Sequence, residues 1–541
     1  MAFLKKEKKK SGTYLRIVES HRDKSGKSIH KTLYNMGKAE DYSKQTLKNI
    51  GKSFLELSGE DISNLEKKCL KELARYSYGF IQIYDRIMQI YGIERFLLET
   101  SKKKRLNFKL YQSILLMIAE RLNEPSSKLM NYNNQSEYIG LASLDLHNLY
   151  RSLDHLYEIQ NEIQKLIYHQ GRNLFKQSLD IVFYDVTTFY FNSEKEDGFR
   201  MKGYSKDGKI GNTVIVFGML IDKDKNPIGY RIYKGGYYEG HTFKDAIRKL
   251  KEEYTIDRVI AVADRGMMNQ TNVELLESEE IGYEYIIGER LKNLPQKLQS
   301  EILDRNKFRK LSIADEVTGE IIEIEYYTIE YKGRRIITTY SEKRAAKDRY
   351  ERQSKIELAK QYIKTPSMVE KKAASHFLKK ENKNQYILDE EKIARSEGYD
   401  GFVSISTNAK DLVENEVLSA YKQLYKIEHT FRTFKSYLEA RPMFHWTQKR
   451  IEGHLCLCYI CFTLLNYLQQ ILRRSGVKIS EDKLRVSIGK MQLSLLEQDG
   501  EQFYLRSKLD ETANAIIKEL NIKKLPDIIG KYGITQYISI A

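Results

Sequence analysis

Near residue 180 a long helical pattern gives way to strand patterns, and this switch limits the possible folds more than any other feature of the sequence. "DIVFYDVTTFYF" is rich in β-branched and aromatic residues and predicts a strand, as does "TVIVFGMLID" after the loop "YSKDGKIGN". "NPIGYRIYKGG" reads as a turn and a third strand. "HTFKDAIRKLKEEY" reads as a helix with His241 or Thr242 near its cap. "RVIAVADRG" is a near-continuous apolar run of the kind a strand shows when both its faces are covered. A helix in "NQTNVELLESE" and a strand in "YEYIIGE" complete the order β-β-β-α-β-α-β. Two long runs ahead of a βαβ pattern imply an α/β fold with a mixed sheet and helices laid on it.

The flanking segments follow other patterns. "TYLRIVESHRDKSGKSIHKTLYNMG" (13–37) reads as two alternating segments joined by "DKSGK", a basic β-hairpin, and residues 45–178 carry apolar side chains at helical spacing. After residue 289, "EIIEIEYYTIEYKGRRIITTYS" predicts a hairpin or meander. The charged helix "EKRAAKDRYERQSKIELAKQYI" follows, and then "DGFVSISTN" resumes a strand. The expected divisions are a basic hairpin at 1–44, a helical region at 45–178 and a sheet core at 179–289. A β-rich insertion at 290–400, the second part of the core at 401–475 and a helical C-terminal region at 476–541 complete them.

Charge narrows the partner. Lys and Arg number 91 against 74 Asp and Glu, a net charge of +17. Residues 1–52 alone hold 14 Lys/Arg and five acids. Such an excess points to a polyanion, nucleic acid ahead of an anionic membrane surface. The apolar run around "CYICFTLL" falls short of the roughly 20 residues a membrane span needs, and "MAFLKKEKKKSG" has no apolar h-region. Four cysteines in a chain this long do not make a disulfide framework. A cytoplasmic protein without a membrane partner is expected.

Three acids stand out by context. Asp185 sits mid-strand among apolar and aromatic residues, on one strand face with Phe183 and Thr187. Asp264 ends the apolar strand "VIAVAD", just before Arg265 and a glycine turn. Glu428 lies in "AYKQLYKIEHTFRTFKSYL" (420–438). On one helix over 410–438, Tyr421, Glu428 and Lys435 share a stripe with about 20° of drift per heptad, while Ile427, Phe431, Phe434 and Leu438 form a separate apolar stripe. Two carboxylates at strand ends and a third from a packing helix would supply hard oxygen ligands for Mg²⁺ or Mn²⁺. Each acid alone also has an ordinary reading: a satisfied structural Asp, a strand-end turn, a solvated Glu.

The ordered set "FYDVTTFYF", "AVADRGMMNQTN" and "YKQLYKIEHTFRTFK" resembles the three acidic motifs of DDE transposases encoded by bacterial insertion sequences. It is most similar to the insertion-sequence-four-like group, whose RNase H-like domain is split by a β-rich insertion. Tyr421, Glu428 and Lys435 match that group's Y-x2-R-x3-E-x6-K signature, with Leu424 in the arginine position and Arg432 the expected substitute charge. "RPMFHWTQKRIEGHLCLCYICFTLL" is similar to the segment after the group's glutamate. The motifs lie 79 and 164 residues apart, the second gap wide enough for the insertion.

The resemblance implies a transposase that binds terminal inverted repeats, cleaves DNA and joins the 3′-hydroxyl to a target by cut-and-paste. Asp185, Asp264 and Glu428 would be catalytic and would hold two Mg²⁺ (or Mn²⁺) ions. Tyr421, Arg432, Lys435 and, from the loop after the first strand, Lys206 would touch phosphates. The partners implied are double-stranded DNA, at the repeats and the target, and a second copy of the chain in a homodimer.

Two other readings stand beside this one: an RNase H-like nuclease without strand transfer, and a domesticated DNA binder without catalysis. Among weaker signals, His454, Cys456, Cys458 and Cys461 invite a zinc site but read better as buried core on an apolar helix. No tryptophan occurs in 290–400, so Tyr326, Tyr327 or Tyr331 would have to stack on any flipped base.

Overall fold

The computed structural model describes residues 2–9, 12–22, 28–59, 70–175, 181–203, 211–237, 239–254, 259–267, 270–314, 321–364, 376–382, 385–498, 500–538 and 540. The "DKSGK" link, the "YSKDGK" loop with Lys206, Cys69 and Asn269 lie outside these.

The strand patterns after residue 180 build one mixed sheet of ten strands. At its centre, Ile181–Tyr190 pairs in parallel with Ile260–Ala263 and antiparallel with Thr213–Asp222. Ile260–Ala263 continues in parallel to Glu284–Glu289. Phe402–Thr407 then pairs antiparallel with Glu284–Glu289, and the meander Arg309–Ala314, Ile321–Tyr331 and Arg334–Tyr340 extends the same sheet outward. The β-strands expected as an insertion are therefore hydrogen-bonded into the core sheet.

Both faces of the central strands are covered, which is why all ten residues of Thr213–Asp222 are buried. Side chains alternate between the faces. Phe183, Phe189, Phe217, Ile260 and Val262 point into the large core that holds the N-terminal helices and the long helix Gln448–Arg474. Val182, Tyr184, Val216, Ala261 and Ala263 point the other way, onto the helices Glu239–Tyr254 and Gln270–Glu277. The first of these helices begins at Glu239, so His241 and Thr242 belong to its first turn and do not cap it.

The run around "CYICFTLL" belongs to a 27-residue helix with a mean hydropathy of 1.6 over its most apolar window, the one described helix long and apolar enough to cross a membrane. That window is 89% buried within the protein, against the helices Leu110–Asn123 and Leu146–Glu158. The approach is close at Gly453, where a Cβ would collide with the backbone carbonyl of Leu153.

The chain ends depart most from expectation. The basic hairpin is part of a three-stranded antiparallel sheet, because the lysine-rich start Ala2–Lys9 pairs with Gly12–Arg22, which pairs with Ser28–Lys38. Residues 476–541, expected to be helical, hold the helices Glu481–Gly489 and Glu511–Glu519 but also the hairpin Gln492–Gln498/Glu501–Arg506 and the strand Ile528–Gly530. These strands complete a four-stranded sheet with Lys71–Ser77, so the two ends of the chain fold together. Leu493 and Leu495 bury the alternate positions of the first hairpin strand, a short period-2 signal easily lost beside two helices.

Gly453→Val is expected to lower stability by about 3 kcal/mol through overpacking. Gly51→Ala, at a helical site where a Cβ meets nothing within 4 Å, should raise it by about 0.5–1 kcal/mol. Urea midpoints report both, and a wild-type midpoint for Gly453→Val would refute the packing described.

Candidate active site

Asp185 is the one residue between Val182 and Phe189 that is not buried; its neighbours Tyr184 and Val186 are each 1% exposed. Phe183 pairs with Val262 across the parallel strands, and continuing that register by two residues brings Asp185 beside Asp264, at a strand separation of about 4.8 Å. Strand alternation gives both aspartates the face of Phe183 and Val262. Each carboxylate accepts a hydrogen bond from the next backbone N–H, Asp185 from Val186 at 2.7 Å and Asp264 from Arg265 at 2.6 Å.

Glu428 comes from a helix on that same face. Ile427, Phe431 and Phe434 are buried, and the Phe431 and Phe434 rings lie 6.4 and 5.5 Å from Phe217 of the neighbouring strand. Phe434 also meets Phe462 of the long buried helix at 5.4 Å. Each such buried side chain contributes about 2–3 kcal/mol, which fixes the helix on the sheet while Glu428, in its first turn, stays exposed.

The expected continuous helix over 410–438 is replaced by three pieces: Glu414–Lys422, Tyr425–Arg432 and a π-helical turn at Thr433–Tyr437. Between the first two the chain tightens to i→i+3 bonds, with Leu424 N donating to Tyr421 O at 3.2 Å and Lys426 N to Gln423 O at 2.8 Å. In the third, Leu438 N donates to Thr433 O at 2.8 Å, an i→i+5 bond. The sevenfold stripe therefore does not exist as drawn, since its arithmetic assumed a constant 100° per residue. Tyr421 and Glu428 line one cavity, whose lining does not include Lys435.

Asp185, Asp264, Tyr421 and Glu428 line one cavity of about 450 Å³, together with Lys422 and Tyr425 among others. Arg432 and Lys435 are not part of its wall; Arg432 is exposed and Lys435 half-buried. The three acids do not close around a single ion position: among the described residues no three His, Cys, Asp or Glu side chains do. Their chemistry fits a divalent cation, being three carboxylates on one wall, carried by two neighbouring strands and a packed helix. Burial, with the Asp264 carboxylate behind it, pushes the Tyr421 phenol up to about 12, so it remains a hydrogen-bond donor. Its hydroxyl sits against Gly288, where a Cβ would collide with both Tyr421 and Arg265.

A second cavity of about 650 Å³ shares Asp264 and is rich in cations. Arg344 and Arg352 there are paired with Asp348 and Asp400, whereas the exposed Arg265, Arg290 and Lys355 have no acid partner among the described residues. Sequence reasoning noticed Arg265 because it follows Asp264. It missed Lys422, Arg290 and Lys355, whose spacing carries no signal in a chain so rich in lysine and arginine. Of the tyrosines named for stacking, Tyr327 donates to Glu301 at 2.9 Å, and Tyr326 and Tyr331 lie partly buried against hydrophobic clusters.

The zinc alternative meets a different environment. Cys458 Sγ lies 3.7 Å from His454 Nε2, and all three helix cysteines are buried, with no group of three metal-ligating side chains among the described residues. Burial, reinforced by Lys128, Arg121 and Arg450, pushes His445 down to about 3, and His454 falls well below its ordinary value. Both therefore stay neutral when folded and take up protons only when unfolded. Stability is full above about pH 6.5 and falls as pH drops from there toward 3, by up to about 1.4 kcal/mol per pH unit for each histidine. Urea midpoints between pH 7 and 5 should show this slope, and His445→Phe should reduce it; an unchanged slope in the variant would contradict the assignment.

Comparison with known proteins bears on the whole core. The model of the transposase DDE domain matches residues 176–464, more than half of the chain, and that of the IS1634 family transposase N-terminal domain matches residues 4–64. No curated protein matches. Among solved structures, a piggyBac transposase synaptic complex with hairpin DNA is 11% identical, covering 79% of this chain and 82% of that one with a TM-score of 0.38. A Mos1 transposase paired-end complex with left transposon end is 13% identical, covering 33% and 58% with a TM-score of 0.14. Superpositions that loose add nothing to the family match. With the matched domain spanning the mixed sheet and all three acids, the chain belongs to the DDE transposases, metal-dependent DNA-acting enzymes with an RNase H-like core.

Proposed function

We propose that this transposase cuts DNA at the terminal inverted repeats of its own insertion sequence and joins the freed 3′-hydroxyls to a target, with Asp185, Asp264 and Glu428 as its acids. What supports the reading is that strand alternation, parallel register and the packing of the Glu428 helix turn all three carboxylates toward one cavity. Two Mg²⁺ or Mn²⁺ ions would be held by these residues. Once bound, such ions supply an activated water or 3′-hydroxyl and stabilise the leaving oxygen.

The chain's own groups do the positioning. Asp185 is anchored by the Val186 N–H, whereas Glu428 is exposed beside the buried Ile427 and Phe431 that seat its helix. Tyr421 keeps its proton and donates to a phosphate oxygen, and Lys422 beside it supplies charge at the same wall. Arg265, Arg290 and Lys355 offer the DNA backbone a cationic track through the adjoining cavity. Arg432 and Lys435, outside the wall, meet flanking phosphates, as does Lys206. Two transposon ends are held together in a homodimer, and the element moves by cut-and-paste.

A labelled duplex carrying the repeats, incubated with Mg²⁺, tests the acids. Asp185→Asn, Asp264→Asn and Glu428→Gln should each reduce nicking by about 10³-fold or more while DNA affinity stays near wild type, because cations carry binding. Normal cutting by any of the three would overturn its assignment, and nicks that never yield joined products would identify a nuclease instead. Gly288→Ala should also cost about 10–100-fold in cutting by displacing Tyr421 and Arg265. Wild-type rates in that variant would remove both residues from the mechanism.

A further inference from the structure

The two ends of the chain enclose a cleft of about 740 Å³ that shares no lining residue with the catalytic cavity. One wall is the last part of the strand Ser28–Lys38, and the other is the C-terminal segment between Arg506 and Tyr537. The walls are locked together. Asn35 N donates to Asp527 Oδ2 at 2.7 Å, Asp527 N donates to Asn35 O at 3.1 Å, and Tyr42 donates to the carbonyl of Ile528.

Asp527, the one acid of the lining, is consumed by this lock and by its ion pair with Arg506. Lys508, Lys523 and Lys524 remain exposed at the cleft with no acid partner among the described residues. Two of them are oriented by neutral groups that leave their charge intact. Lys524 donates to Asn514 at 3.1 Å, and the Lys523 ammonium lies 4.3 Å from the centre of the Tyr537 ring. Tyr34, 44% exposed, adds an aromatic face on the opposite wall.

Ser28 to Asn35 of the strand that supplies this wall are exposed on both faces, whereas Met36, next along it, is buried in a small core with Leu15, Ile50, Phe503 and Ile528. That core and the Asn35–Asp527 lock account for how the strand is held, but not for the lysines left exposed beside it without acid partners among the described residues. Phosphates do, since each binds a lysine point charge and releases a counterion.

We infer that this cleft, built jointly from the two chain ends, is a second DNA-backbone site that grips a duplex away from the catalytic cavity. The inference rests on the transposase reading. It assigns DNA contacts to the C-terminal segment, through Lys508, Lys523 and Lys524, as well as to the N-terminal sheet.

The test compares the full-length wild type, a triple Lys→Ala variant at 508, 523 and 524, and the triple Lys→Arg variant. Binding of a fluorescein-labelled mixed-sequence duplex is followed against salt concentration, and nicking of the repeat duplex is measured alongside. The alanine variant should bind more weakly, with the slope of log K against log salt reduced by about 2–3. The arginine variant should keep the wild-type slope. At saturating DNA the alanine variant should still nick. A wild-type slope in the alanine variant, or a loss that arginine does not restore, would overturn the inference while leaving the enzyme's assignment intact. A wild type that binds but never nicks would instead refute the catalytic reading and leave the cleft standing.

Discussion

The architecture turns on a sheet buried on both faces. Such a sheet leaves almost no place for a charge, because an ionised carboxylate between apolar layers costs far more than packing returns. Asp185 is tolerated at the one gap in the cover of the strand Ile181–Tyr190, with buried residues on both sides of it, and Asp264 where the shorter strand Ile260–Ala263 ends. The two positions coincide because the strands are parallel and in register, so both acids reach the same edge of that gap. The Glu428 helix then has one stable seat, its phenylalanines against Phe217 and Phe462, and that seat borders the same edge.

This logic explains which parts of the molecule could be read in advance. Strand alternation has a rigid period of two, so the face shared by Asp185, Phe183 and Thr187 follows from the sequence alone. Helical periodicity is softer. The stripe of Tyr421, Glu428 and Lys435 required unbroken α-helix, and a tightened turn at Gln423–Leu424 and a π turn after Arg432 interrupt it. The apolar stripe survived both irregularities because burial, not the ladder of backbone bonds, determines where Ile427, Phe431 and Phe434 go.

Other features had no local signature. The lysine-rich start looks like a solvated charge run, yet Ala2–Lys9 pairs residue for residue with Gly12–Arg22. Lys71–Ser77 finds its partner in Gln492–Gln498, at the other end of the sequence, and no propensity announces a pairing so distant. The same holds for the meander at 309–340, whose edge continues the core sheet through Phe402–Thr407. Long-range strand pairing joins the nominal insertion and the chain ends to the rest of the molecule, and hydrogen bonds between Asn35 and Asp527, 492 positions apart in the sequence, bring the walls of the basic cleft together.

Three carboxylates from two neighbouring strands and one packed helix are proposed as a single cation-binding centre. Anomalous diffraction from crystals of the protein with Mn²⁺ and a repeat-bearing duplex tests it most directly. The account requires manganese density bounded by the side chains of residues 185, 264 and 428. Manganese elsewhere, with those three side chains turned to solvent, would contradict it.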